Sequence, residues 1–408
     1  MMVLVSRRTL LNTMLGAAAF GVCGGPALAQ KSSLSFTDWV RDFRGRAIRN
    51  GISPAVYDSV MRDVEPDTSV YALDRAQPEF REKAWQYLNR RVSDWRIMTG
   101  RERAKEYAPL LDRIEEKYGV DRYIMLGLWG MESAFGDVVD NPNHMRPVIP
   151  ALAALAWGEP RRRAYWSREL INALIIIQRG WAKPSEMIGS WAGAMGHTQW
   201  MPEVWLNMGV DFDGDGRIFP FSVPDAFAGT ARYLLNRGKY RKGEHWGYEV
   251  VLPKGVSPRK GGRRSIAAWG ELGVKRADGH PFPNAKERAR LWQPVRNGPV
   301  LLTTQNFQAV KSYNPSNLYA LAICYLADQI AGAGPFVKQF PGGERPLTFD
   351  EVREVQRRLT AAGFDTGGTD GRVGKMTMRA VRNFQKKSGL KPADGYAGLK
   401  ELAKLRAL

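Results

Sequence analysis

From Ser35 to Tyr240, apolar residues return every three to four positions in one segment after another, and that spacing commits half the chain to helices that bury one face. The spacing is clearest over residues 83–98, 101–118, 122–135, 165–179 and 224–237. Helices with a single apolar stripe must pack on one another, so the expected fold class is mainly α. Between residues 250 and 310 the periodicity fades while glycine, proline and basic residues rise. Residues 250–253 and 299–302 there read as short strands flanking a loop-rich insertion. Helical spacing returns over 316–330. A proline- and glycine-rich stretch, 335–346, then leads into a compact unit of about sixty residues. In that unit Val352, Val355 and Leu359 form one apolar face, Ala380, Val381 and Phe384 another, and Asp370-Gly371 and Asp394-Gly395 mark turns. A core so small is more often a binding module than an enzyme.

With 408 residues, 44% of them hydrophobic, the chain can build two or more domains and at least one sizeable core. Its 60 lysines and arginines outnumber 41 acids for a net charge of +19, which favours an anionic partner: nucleic acid, a membrane surface or an acidic wall polymer. Residues 1–29 hold no acid. They run from Arg7-Arg8 through an apolar stretch to Ala27-Leu28-Ala29, the pattern of an export signal with a small-residue cleavage site. Ser6-Arg7-Arg8-Thr9-Leu10-Leu11 resembles a twin-arginine motif, which implies folding before transport to the periplasm. Removing this segment leaves +17, so the basic character belongs to the mature chain. Val22 occupies the place before Cys23 where lipid attachment needs a small residue, so no lipid anchor is expected there. Cys324 then stands alone in an apolar run, reads as a buried thiol, and leaves no intramolecular disulfide. No other stretch is long and apolar enough to suggest a membrane span.

If 122–135 is helical, the residues three and four positions from Glu132 are Leu128, Trp129, Phe135 and Gly136, none of them polar. A carboxyl in such surroundings loses solvation when ionised and can keep a proton near neutral pH, as a general acid must. Periodicity alone leaves this reading level with a glutamate on a solvated helix stripe. The segment Gly127-Leu-Trp-Gly-Met-Glu-Ser-Ala-Phe-Gly136, followed by Ser190-Trp-Ala-Gly-Ala-Met-Gly-His-Thr-Gln-Trp-Met-Pro202, resembles the signature of the lytic murein transglycosylases, specifically the B family. The resemblance covers most of residues 30–335. It implies a lysozyme-like helical catalytic domain with a small loop- and β-rich insertion, and it puts the family's catalytic glutamate on Glu132.

That resemblance also implies substrate contacts from Ser190 and Gln199 in a glycan-binding floor and from Arg161 and Arg162 along the cleft. Tyr313, Asn314 and Tyr319 match a stretch near the glutamate, and Tyr87 is a fainter match. His197-Thr198 and Trp200 depart from the family's usual residues, which bears on substrate fit. The implied reaction uses one acid where most glycosidases use two. Glu132 protonates the oxygen between N-acetylmuramic acid and N-acetylglucosamine, then takes the proton of the muramyl 6-hydroxyl, which attacks C1 and leaves a 1,6-anhydro end. No cofactor is needed for catalysis.

Asp211-Phe-Asp-Gly-Asp-Gly-Arg-Ile218 spaces oxygen ligands as an EF-hand-like loop does, but its twelfth position is Ser222. The family's longer variant of this loop implies a structural Ca2+ on Asp211, Asp213, Asp215, the Arg217 carbonyl and Asp225; the alternative is a plain Asp/Gly turn. Residues 348–405 resemble the peptidoglycan-binding domain 1 family, on Val355-Gln356, Gly363-Phe364, Gly368-Thr-Asp-Gly371 and Phe384-Gln385 among other positions, and this implies a small three-helix domain. The expected division is therefore a signal over 1–29, a catalytic domain over 30–340, a linker over 341–347 and a wall-binding domain over 348–408. Peptidoglycan strands are the expected partner of a monomeric protein, with other cell-wall proteins a further opening; no nucleic-acid motif is present. The rivals are a hydrolytic muramidase, which needs a second carboxylate, and a non-enzymatic wall-binding scaffold.

Overall fold

A computed structural model describes residues 34–75, 82–258 and 262–408; the export segment, with Arg7, Arg8 and Cys23, lies outside the described residues. The chain begins with α1 (Phe36–Arg49), α2 (Pro54–Met61) and α3 (Val70–Arg75), followed by α4 (Ala84–Arg91), α5 (Asp94–Glu106), α6 (Ala108–Tyr118) and α7 (Arg122–Ser133). A short strand β1 (Arg146–Pro147) opens into α8 (Val148–Gly158) and α9 (Arg163–Gln178); β2 (Ile188–Gly189) pairs back on β1, and α10 (Pro202–Met208) and α11 (Val223–Asn236) follow. Next come β3 (Gly247–Val251), β4 (Arg264–Ser265), α12 (Ile266–Glu271), β5 (Lys275–Arg276), β6 (Arg288–Trp292) and β7 (Leu301–Thr303), which form an antiparallel sheet in the order β4-β6-β7-β3-β5. Helices α13 (Gln305–Tyr313) and α14 (Asn317–Ala331) return to the helical body, and α15 (Phe349–Ala361), α16 (Lys375–Lys387) and α17 (Leu399–Arg406) close the chain. The mainly helical class expected from the spacing is what the chain adopts.

Two apolar stretches that read as single helices are each divided. Ser93 separates α4 from α5 because its hydroxyl accepts the Arg96 amide and starts a new first turn. Tyr107 ends α5, and Pro109 sits in the first turn of α6, where its missing N–H costs nothing. The insertion holds more strand than its loop-like composition suggested: β6 alternates exposed arginines with buried Ala289 and Leu291.

Four cores organise these elements. One gathers α5, α6, α7, α11, α13 and α14 around Trp129, Phe135, Phe227 and Ile323. A second joins α1, α2, α8, α9 and α10 around Trp166, Trp200 and Trp205. The sheet and α12 enclose Trp269 and Leu291, and the last three helices enclose Val355, Leu359, Val381 and Phe384, with Leu347 also buried there. Helices α7 and α14 approach closely at Gly127, where a Cβ would come within 2.7 Å of the Ile323 carbonyl oxygen. Cys324 is buried in this packing as a free thiol, so cohesion among the described residues comes from apolar burial. The terminal unit docks on α4 and α5: Asn89 donates to Tyr396 Oη at 3.0 Å, Asp94 accepts the Phe349 amide at 2.8 Å, and Arg372 stacks 3.9 Å over Trp95 while pairing with Asp137 at 2.5 Å.

Candidate active site

Helix α7 begins at Asp121, whose carboxyl accepts the Tyr123 and Ile124 amides, and it is buried from Ile124 to Gly130. It stops because Ala134 and Phe135 take left-handed conformations (φ 54° and 60°) before Gly136 does the same. Two non-glycine residues in that region cost about 1–2 kcal/mol each, and local contacts offset the cost. The Phe135 ring is buried beneath Gly130, where a Cβ would lie 2.6 Å from Cζ. Ser133 donates to the His197 carbonyl at 2.6 Å and accepts the Gly136 amide at 3.1 Å. Arg96 donates from Nε to the Gly130 carbonyl at 3.1 Å, satisfying one of the acceptors a helix leaves open at its C-terminus. Burial, with Arg91, Arg90 and Arg372 nearby, pulls that guanidinium down to about 10.

Glu132 stands on the last turn of α7, half-buried. Leu128, Trp129 and Phe135 are buried as their spacing implied, but the group that meets the carboxyl is polar. Tyr319, from α14, donates its hydroxyl to Glu132 Oε1. That hydroxyl fixes the orientation of the carboxyl. Burial, reinforced by the charge of Glu132, pushes the Tyr319 phenol well above its usual range, and Tyr87, itself buried on α4, adds to the effect. Tyr313 is raised too, by burial and then by Glu132, and its hydroxyl donates to the Thr198 carbonyl at 2.8 Å.

The 190–200 stretch forms the opposing surface. Gly189 and Trp200 both bridge to Met195. Ser190 Oγ accepts the Ala194 amide at 3.2 Å, and Gln199, held at φ 55°, donates to the Gly196 carbonyl at 3.0 Å. Beneath them Trp200 donates to Thr230 Oγ1 at 3.0 Å, which in turn donates to Thr198 Oγ1 at 2.9 Å. His197 accepts from Trp129 Nε1 at 3.1 Å and faces the Phe221 carbonyl through Nε2 at 3.0 Å. A phenylalanine at position 197 could make neither contact. Burial lowers the His197 pKa, which suits a neutral ring in that role. Glu132, Tyr87, Tyr313, Tyr319 and the 190–200 surface are thus brought together, and Asn314, half-buried, ends α13 beside Tyr313.

Arg161 and Arg162 belong to the second core's side of the molecule. Arg161 lies 3.7 Å from Glu159, and Arg162 stacks over Tyr165 and Trp166 at 4.6 and 4.5 Å. Their link to the floor runs through the Trp166–Trp191 edge contact at 6.3 Å. Arg96 and Thr230 were not singled out in the sequence; their partners are a backbone carbonyl on another helix and the side chains of Trp200 and Thr198, and no local motif signals such pairs.

In the Asp/Gly loop, carboxylate oxygens of Asp211, Asp213 and Asp225 all lie within 4.8 Å of one another. Asp225 is buried, its two oxygens accept the Phe212 and Phe219 amides at 2.7 and 2.8 Å, and burial plus the neighbouring acids raises its pKa. Three acids converging on one point fit a hard cation with oxygen ligands. The carboxyl of Asp215 stands outside that trio, accepting the Arg217 amide at 2.7 Å, and the Arg217 side chain turns away to the Trp181 carbonyl at 3.0 Å.

A helical body with a glutamate at the edge of a tyrosine-lined surface, extended by a small three-helix unit, is the architecture that comparison with known proteins places among wall-glycan-cleaving enzymes. The chain matches the transglycosylase SLT domain family over residues 35–328 and a peptidoglycan binding domain over residues 349–405. It belongs to the transglycosylase SLT family and is a peptidoglycan lytic transglycosylase. It is 30% identical to membrane-bound lytic murein transglycosylase B of Escherichia coli K12, covering 67% of this chain and 74% of that one. It resembles the crystal structure of SltB3 from Pseudomonas aeruginosa in complex with NAG-anhNAM-pentapeptide, with TM-score 0.71 and 38% identity over 91% of this chain and 99% of that one. It also resembles the Escherichia coli transglycosylase SLT35 in complex with calcium, with TM-score 0.61 and 26% identity over 72% of this chain and 92% of that one.

Proposed function

We propose that the enzyme cleaves the β-1,4 bond between N-acetylmuramic acid and N-acetylglucosamine without water, leaving 1,6-anhydromuramyl ends, with Glu132 as the single acid and base. The observation that carries this reading is that the segments meeting at Glu132, residues 84–91, 190–202 and 312–319, contain no second aspartate or glutamate. A hydrolase of the two-carboxylate kind has nothing there to activate a water or act as nucleophile. Tyr319 fixes the carboxyl through Oε1. Protonated Glu132 gives its proton to the glycosidic oxygen as that bond breaks. The carboxylate left behind then takes the proton of the muramyl 6-hydroxyl as its oxygen bonds to C1, which restores the acid. Because nucleophile and electrophile share one sugar, proximity does the work that activation of water does elsewhere. The anhydro sugar in the SltB3 complex supports this product.

Ser190, Gln199 and Asn314 orient the sugar in this reading, Tyr87 and Tyr313 wall the cleft, and Arg161 and Arg162 meet the glycan farther out. A structural Ca2+ on Asp211, Asp213, Asp215, the Arg217 carbonyl and Asp225 braces the loop between α10 and α11. Support for it is the convergence of three of those carboxylates and the calcium in the SLT35 complex. Export to the periplasm through the twin-arginine-like segment completes the reading. Among the described residues no helix is long and apolar enough to cross a membrane. Glu132→Gln should abolish turnover while wall binding persists, and muropeptides released by the native enzyme should be lighter by one water than hydrolytic products. Turnover near the native rate in that variant, or reducing ends in the digest, overturns the proposal.

A further inference from the structure

Beside the segment that carries Tyr313 and Asn314 lies a cavity of about 780 Å³ that the reaction does not use. Its walls come from β6 and β7 with the loop between them, from Ser257 and Pro258 after β3, from α13 and from the first residue of α14. They carry three cations, Arg290, Arg296 and Lys311, and no acid. Among the described residues no carboxylate lies within ion-pairing distance of any of the three. Burial, with Arg290 adding its charge, lowers the Lys311 pKa, a sign that the ammonium is partly desolvated with nothing opposite. Trp292, half-buried and 5.5 Å from the Phe307 ring, supplies an aromatic wall. A recess walled by one sign of charge concentrates anions.

Its position says which anion. Lys311 precedes Tyr313 by two residues on α13, and such residues point to different flanks of a helix. Tyr313 is tied to the floor through Thr198, whereas Lys311 lines the cavity. Asn317, which also lines the cavity, precedes Tyr319 by two residues on α14. The cavity and the cleft therefore lie on two sides of one short segment. A helix is about 10 Å across, and an extended pentapeptide reaches about 17 Å, so a peptide attached to the muramyl sugar can pass from one to the other.

We propose that this cavity receives the carboxylates of the stem peptide borne by the muramyl residue in the cleft, so that Arg290, Arg296 and Lys311 select peptide-bearing glycan. The inference rests on the placement of the muramyl sugar at Glu132. The test compares glycan strands carrying stem peptides with the same strands stripped by an amidase, using the full enzyme, the Arg290→Gln/Arg296→Gln double variant and Lys311→Gln. On peptide-bearing strands each variant should lose about tenfold in kcat/KM through KM, the scale of a lost charged contact, with kcat unchanged. On stripped strands all three proteins should be equal. Equal kinetics on both substrates overturns the inference, as does an equal loss on both. Calorimetry on Glu132→Gln decides the matter even if cleavage fails for another reason. A peptide-bearing disaccharide should bind about tenfold more tightly than the bare disaccharide, and the advantage should vanish when the two arginines are replaced. Inorganic phosphate binding as tightly as the peptide-bearing sugar would mark a general anion trap and refute the assignment.

Discussion

Glu169 is buried on α9, where Oε2 accepts the Glu203 amide at 3.0 Å in the first turn of α10. Burial, reinforced by Glu203, pushes its carboxyl up from 4.5 to about 7. The folded state therefore holds this proton more tightly than the unfolded chain does. The stability it adds is fully present below pH 4.5 and is lost as pH rises through about 7. Glu169→Gln keeps the acceptor and removes the titration, so it should raise stability at pH 8 by up to about 3 kcal/mol and have no effect at pH 4. Thermal melts of both proteins across that range check this; equal curves at pH 8 reject it. At this scale the sequence was informative where chemistry is local. Glu132 stood out because its apolar neighbours and the glycine-flanked segment lie within ten residues. Its hydrogen-bond donor, 187 residues away, was reachable only through family resemblance, and Arg96 was not reachable at all, because its partner is a backbone carbonyl on another helix.

Among the elements, the Asp/Gly loop between α10 and α11 is organised by its carboxylates. Asp211 accepts the Gly214 and Gly216 amides at 2.7 and 3.0 Å, and Asp213 accepts from Ser222 Oγ at 2.6 Å, so the loop is already shaped around its carboxylates. Adding Ca2+ to chelator-treated enzyme should raise its melting temperature by several degrees, because binding only the folded state stabilises it by mass action. Asp213→Ala should remove the response, and a melt indifferent to calcium in the native protein rules the site out. The helices themselves were legible, since an apolar stripe with period 3.6 must face a core. Their interruptions at Ser93 and Tyr107 were not, because the stripe continues across both breaks and only the caps mark them. Strand β6 was hidden for the opposite reason: Arg288 and Arg290 occupy its exposed positions, so its alternation looks like the basic loop around it.

For the molecule as a whole, the terminal domain is held against the catalytic body by polar and aromatic contacts around a shared groove of about 890 Å³. A wall-binding domain raises the effective concentration of the enzyme at an insoluble substrate, and such linkage strengthens overall binding by about a hundred- to ten-thousandfold when tether and spacing allow. Arg372→Glu sets a carboxylate against Asp137 and removes the cation stacked on Trp95. The variant should scatter X-rays as a more extended particle and lose about tenfold in rate on intact wall, with soluble fragments cleaved within twofold of native. An unchanged particle size sinks this view of the contact.

Asp137 lies five residues beyond Glu132, just after the left-handed turn that ends α7. The clasp on Arg372 and the seat of Glu132, the acid proposed for the reaction, are therefore built on one continuous stretch of backbone. A shift of the terminal domain on the body is therefore transmitted to that turn through Arg372, in parallel with the contacts at Asn89 and Asp94.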